Sequence, residues 1–198
     1  TWHMYKTYPY WIAKRNGMTL INEAVNGSTM TNSDDGGSSR FSYQRYQNIP
    51  ADADYITLKF GINDSASHQN MPIGTIDDTE TSTFYGAWNT VLTWLITNRP
   101  NARIGILIGN GLSGNGHGVQ DEAYCVAMRA IAKKFGIPYL DEDLDDNIPL
   151  TFRTNKDVDS TIKTLRYDQF KVSSTNSHPN IVCHKLQSEF VEAFLRRL

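Results

Sequence analysis

Apolar residues recur at two periods along this chain, and the switches between those periods predict alternating helices and strands. Tyr5, Tyr8, Trp11 and Ile12 follow helical spacing, which predicts a helix over Tyr8 to Asn16 with Gly17 as its stop. Met18 to Val25 then alternates apolar with polar residues, the period of a strand. Asn26 to Ser39 is rich in Ser, Asn, Asp and Gly and reads as a long loop, and Phe41 to Ile49 as a short helix. Asp54 to Phe60 carries the strongest strand pattern. Beyond a polar loop, Thr83 or Ser82 can cap a helix over Phe84 to Thr97, with Pro100 as the breaker. Ile104 to Ile108 is continuously apolar, as a strand covered on both faces should be. Gly109 to Gly118 is a glycine-rich loop, Val119 to Phe135 a helix closed by Gly136, and Ile137 to Leu140 a short strand. Asp141 to Tyr167 is acidic and irregular, and Val182 to Leu198 is the last helix.

Helices alternating with short apolar strands predict a parallel sheet sandwiched between helices, with ligands gathering at the carboxyl ends of the strands. Asn26-Gly27, Gly61-Ile62-Asn63 and the loop beginning at Gly109 all fall at that edge. The length of 198 residues suits one compact domain spanning 1–198. The formal charge of -2 offers no broad cationic field, so nucleic acid is not an expected partner. No apolar run has the length of a membrane span, and no membrane association is expected. Cys125 and Cys183, the two cysteines, lack metal-ligand spacing and read as core residues of helices. The acidic run Asp141 to Asp146 lacks the spacing of a calcium loop and reads as solvated. No metal or organic cofactor is implied.

Two stretches carry candidate chemistry. Phe60-Gly61-Ile62-Asn63-Asp64 places an amide side chain at the mouth of a strand. Ser177-His178-Pro179-Asn180 presents an imidazole whose backbone is held extended by the following proline. In ester hydrolysis a tetrahedral intermediate develops negative charge on one oxygen, and each fixed donor around it contributes roughly 3 kcal/mol. Asn63 and Gly27 suit that role, and His178 suits the role of general base. Asp64 suits the turn, accepting hydrogen bonds rather than touching substrate.

On these blocks the chain resembles the SGNH, or GDSL-like, hydrolase superfamily from Tyr8 to the C-terminus. Val25-Asn26-Gly27-Ser28 is similar to the second block, whose glycine N–H lies in the oxyanion hole. Gly61-Ile62-Asn63-Asp64 matches the third block, Gly-x-Asn-Asp, and His178-Pro179-Asn180 the last. The resemblance implies a three-layer α/β/α sandwich with a mostly parallel, flavodoxin-like sheet. It also implies a serine esterase acting on a small acyl ester, an O-acetylated carbohydrate being the first class to consider. The competing expectation is a non-catalytic carbohydrate- or protein-binding domain that keeps the fold. A metal-dependent phosphodiesterase is a third.

The chain departs from the pattern at two places. The first block, a strand leading to Gly-Asp-Ser, has no counterpart between Thr1 and the first helix. The expectation is therefore a fragment whose nucleophile serine lies upstream, on a strand that fills an interior slot of the sheet and is removed, carried as a separate segment or absent from the numbering. Ser65 and Ser113 are weak rivals for the nucleophile. The other departure is Thr175, which stands where the family often has an aspartate three residues before the histidine. A Ser-His dyad held by a backbone carbonyl, or a more distant acid such as Asp168, would then orient His178; losing an orienting acid outright costs about 10⁴ in turnover.

Overall fold

The computed structural model describes residues 6–32, 40–42, 45–65, 71–109, 122–142, 161, 169–173 and 176–198. The chain forms two compact units. One takes Thr1–Asn22, Gly109–Val119 and Leu140–Leu198; the other takes Glu23–Ile108 and Gln120–Tyr139.

The second unit holds the first two strands of the parallel sheet and its principal core. Strands β1 (Tyr55–Leu58) and β2 (Arg103–Ile108) pair in parallel, with Ile56 opposite Ile104 and Leu58 opposite Ile106. Strand β3 (Tyr139–Asp141) follows β2 in the order β1-β2-β3, and the Ile106 N–H donates to the Pro138 carbonyl at 3.1 Å. Consecutive residues of a strand face opposite ways. Ile106, Leu107 and Ile108 are all fully buried, so β2 is covered on both faces, as its unbroken apolar run predicts.

Helix α2 (Phe84–Asn98) starts where the Thr83 hydroxyl accepts from the Gly86 N–H, one of the orphan donors of a helix start. It buries Phe84, Trp88, Val91, Leu92 and Leu95, a helical stripe. This stripe packs on α3 (Glu122–Phe135), which buries Tyr124, Met128 and Ile131. An edge-on aromatic pair joins the two, the Phe84 and Tyr124 rings lying 5.0 Å apart between centroids. Cys125 is buried within this helix and forms no disulfide.

The first unit pairs α1 (Tyr8–Asn16) with the last helix, α4 (Ile181–Leu195). Gly17 adopts φ 63° and ends α1 in the left-handed turn its position predicts. Arg15 joins the helices: its guanidinium lies 2.6 Å from the Glu192 carboxylate and donates to the Ser188 hydroxyl at 3.0 Å. Cys183 is likewise buried and forms no disulfide. Strands β4 (Lys171–Ser173) and β5 (Asn176–Pro179) form an antiparallel hairpin that periodicity did not reveal, being too short for a pattern.

Three expectations need correction. Met18 to Val25 joins no sheet despite its alternation, and Met18, Leu20, Ile21 and Val25 stand exposed. A strand exists only by pairing its backbone groups in a ladder, and this stretch belongs to neither sheet formed by the described residues. The helix expected over Phe41 to Ile49 is a single 3-10 turn, Arg45–Asn48, held by the burial of Tyr46. Glu142, expected in a solvated acidic run, is buried and accepts from Gln187 Nε2 of α4 at 2.7 Å. Among the described residues no helix is long and apolar enough to cross a membrane, and no group of three or more His, Cys, Asp or Glu residues could hold a metal.

Candidate active site

The site is built from turns at the ends of elements. At Val25 to Ser28 the Ser28 N–H donates to the Val25 carbonyl at 3.1 Å, closing a turn in which Gly27 takes φ 72°. That is the left-handed region, which glycine enters without the steric cost a Cβ brings. Two residues past β1 the chain turns again. Gly61 has φ 108°, the Ser65 N–H donates to the Gly61 carbonyl at 2.9 Å, and the Ser65 hydroxyl donates to the Ile62 carbonyl at 3.1 Å. Ser65 thus serves the turn that presents Asn63 and Asp64.

The two turns are bound to each other by side chains. Asn63 Nδ2 donates to the Ser28 carbonyl at 2.9 Å, next to Gly27. Asp64 is wholly buried, and its carboxylate accepts from the Met30 N–H at 3.1 Å, the Thr31 N–H at 2.9 Å and the Thr31 hydroxyl at 2.7 Å. Burial pushes the Asp64 carboxyl up from its ordinary pKa, and the bonds from Thr31 and Met30 oppose that rise. The expected structural role of Asp64 is what the geometry gives.

Further bonds stiffen the loop from its other side. The Thr29 hydroxyl donates to the Thr31 carbonyl and accepts from Arg40 Nη1 at 2.9 Å, while the Phe41 N–H donates to the Thr29 carbonyl at 2.9 Å. Arg45 Nη1 donates to the Ser28 hydroxyl at 2.8 Å, and Nη2 donates to the Glu23 carbonyl. Desolvation lowers the Arg45 pKa and nearby Glu23 raises it. Neither arginine stood out in the sequence, because no motif or period marks a side chain that reaches back across a loop.

His178 belongs to the other unit, on β5, with its side chain exposed. It is therefore a residue of the hairpin, on extended backbone as the following proline predicts. Lys171 pairs with Pro179 and Ser173 with Asn176, so Val172 alone stands opposite both Ser177 and His178. Two residues facing one is the arrangement of a β-bulge, which re-aims the side chains it carries. Asn180 anchors the far side: its N–H donates to the Phe170 carbonyl at 2.7 Å, its Nδ2 to the Gln169 carbonyl at 2.9 Å, and its Oδ1 caps α4 by accepting from the Cys183 N–H at 3.0 Å. Gly27 and Asn63 are thus brought together through Ser28 within one unit, and His178 is positioned by its own hairpin and cap in the other. Ser113 and Asp168 lie outside the described residues.

Donors fixed at a strand mouth beside a left-handed glycine can hold a developing oxyanion, and an exposed imidazole on a braced hairpin can move a proton. No curated protein matches the chain. Solved structures do: a protein from Lactobacillus plantarum is 25% identical, with a TM-score of 0.71 over 96% of this chain and 88% of that one. One described as a GDSL-like lipase, from Bacteroides ovatus, is 20% identical, with a TM-score of 0.69 over 100% and 82%. Another, described as a lipolytic protein of the G-D-S-L family, from Desulfitobacterium hafniense, is 13% identical, with a TM-score of 0.62 over 96% and 89%. These likenesses give the chain the α/β fold of the GDSL-like hydrolases, in agreement with the parallel sheet. The model of the GDSL-like lipase/acylhydrolase family matches residues 1–181, and the chain belongs to that family.

Proposed function

We propose that the protein is a serine esterase of the SGNH type that hydrolyses a small acyl ester, with an O-acetylated carbohydrate as the leading substrate class. Membership of a lipase/acylhydrolase family makes ester hydrolysis the reaction to assign. The observation that carries the reading is the bond from Asn63 Nδ2 to the Ser28 carbonyl. An amide nitrogen has two hydrogens. Ser28 takes one and thereby fixes the direction of the other, so that an oxyanion meets a donor that needs no reorganisation.

In this mechanism His178 takes the proton from a serine hydroxyl as its oxygen attacks the acyl carbon. The carbonyl oxygen becomes an oxyanion, held by the Asn63 amide and the Gly27 N–H. As the intermediate collapses, His178 returns the proton to the departing alcohol, leaving an acyl-serine that water cleaves by the same route. The serine is assigned to a segment beyond the described residues whose strand would lie beside β1. Support for that placement comes from the sheet, in which β1 is an edge strand among the described residues while Ile56 and Leu58 are buried. Buried strands seldom leave one row of backbone donors and acceptors unpaired.

Labelling of the full-length gene product with a fluorophosphonate tests the reading. Covalent labelling that His178→Ala nearly abolishes is expected, together with turnover of short-chain nitrophenyl esters. Labelling unchanged in the His178 variant would remove the base from the mechanism. A full-length protein that neither labels nor turns over any ester, yet binds carbohydrate, would favour the binding-domain alternative.

A further inference from the structure

Arg45 opens the 3-10 turn beside buried Tyr46, so its backbone is fixed while its head stays only half-buried. From there the guanidinium reaches back to the Gly27 turn at two points, the Ser28 hydroxyl and the Glu23 carbonyl. Its Cζ sits 5.6 Å from the centroid of the Phe41 ring, a cation–π contact that restrains the side chain further. The two acceptors bracket the turn: Glu23 precedes it and Ser28 closes it. Ser28 is also the residue whose carbonyl takes the Asn63 amide. One planar fork therefore spans both limbs of the turn that presents the Gly27 N–H, and through Ser28 it reaches the other donor.

We propose that Arg45 is a positioning residue of the esterase site, holding the Gly27 N–H and the Asn63 amide in register through Ser28. The proposal rests on the hydrolase reading above and assigns Arg45 no contact with the reacting atoms. Donors to an oxyanion act only when held close to their productive geometry, and a displacement of about 1 Å costs on the order of 10²-fold in rate. Removal of the guanidinium should therefore lower kcat and leave substrate affinity alone. Lysine should substitute poorly, because an ammonium is a point charge without a rigid fork.

The experiment compares Arg45→Ala, Arg45→Lys and the unsubstituted full-length protein on p-nitrophenyl acetate, with thermal unfolding recorded for each. The expected result is a fall in kcat on the order of 10²-fold for Arg45→Ala, with KM within about twofold of the unsubstituted value. Arg45→Lys should recover only a minor part of the loss. Millimolar guanidinium ion should restore Arg45→Ala severalfold and have no such effect on the unsubstituted protein. Three results would overturn the proposal while leaving the hydrolase reading in place: an unchanged kcat, a raised KM with kcat retained, or a loss that tracks unfolding and resists guanidinium. A full-length protein that leaves every ester intact would overturn the hydrolase reading, and the proposal with it.

Discussion

The buried carboxylate of Asp64 takes both the N–H of Thr31, at 2.9 Å, and its hydroxyl, at 2.7 Å. Two turns separated by 33 positions in sequence are thereby fixed to one another from beneath, while Asn63 fixes them from the adjoining position through Ser28. Adjacent residues of one motif thus divide the labour. Asp64 holds the scaffold and Asn63 presents a donor.

Replacing Asp64 by asparagine would set an amide N–H₂ against a donor that requires an acceptor. The amide keeps one oxygen, which can serve the Thr31 donors, and turns its N–H₂ toward the Met30 N–H; a buried donor left unsatisfied costs about 1–3 kcal/mol, so Asp64→Asn should destabilise the protein by about that much. The midpoint of urea unfolding measures this. A midpoint equal to that of the unsubstituted chain would show that the carboxylate is not the tie between the turns.

Asn180 holds the last helix and the hairpin in one place. Loss of its cap in Asn180→Ala should cost about 1 kcal/mol and, since the same side chain binds the Gln169 carbonyl beside the hairpin, should also lower ester turnover. Thermal unfolding and kcat taken together test this. A loss of stability with full turnover would confine Asn180 to the cap.

Glu192 gives an acid-dependent contribution to the first unit. Its pKa is drawn from the ordinary 4.5 down to about 2, chiefly by the hydrogen bond from Arg196, with Asn16 and Arg15 adding to the effect. The folded pKa lies below the unfolded one, so the contribution is present above about pH 4.5 and is lost as pH falls from there through about 2. Glu192→Gln should therefore be less stable than the unsubstituted protein at neutral pH, and the gap should close across that window. Unfolding curves at a series of pH values measure the gap, and a constant difference from pH 7 to pH 2 would contradict the assignment.

Most elements were legible in the sequence because periodicity reports burial. Trp88, Leu92 and Leu95 mark the helix they occupy, and the run ending at Ile108 marks a strand covered on both faces. The same signal misled at Met18 to Val25, where alternation records apolar residues without saying whether a partner strand is at hand. Asn63 and Asp64 were readable because Gly-x-Asn-Asp is a local pattern whose chemistry sits in adjacent residues. Arg45 and Arg40 were not, since each acts across a loop by the length of its side chain. The bulge that carries His178 also escaped, because a register shift depends on the partner strand and leaves no trace in one strand alone.

The most direct measurement is the steady-state kinetics of Asn63→Ala in the full-length protein, with p-nitrophenyl acetate as substrate. An amide that meets the oxygen only as charge develops stabilises the transition state and not the bound ester. Turnover should therefore fall by about 10²–10³ with KM nearly unchanged. A variant that keeps its kcat, or loses only substrate affinity, would show that Asn63 does not hold the oxyanion.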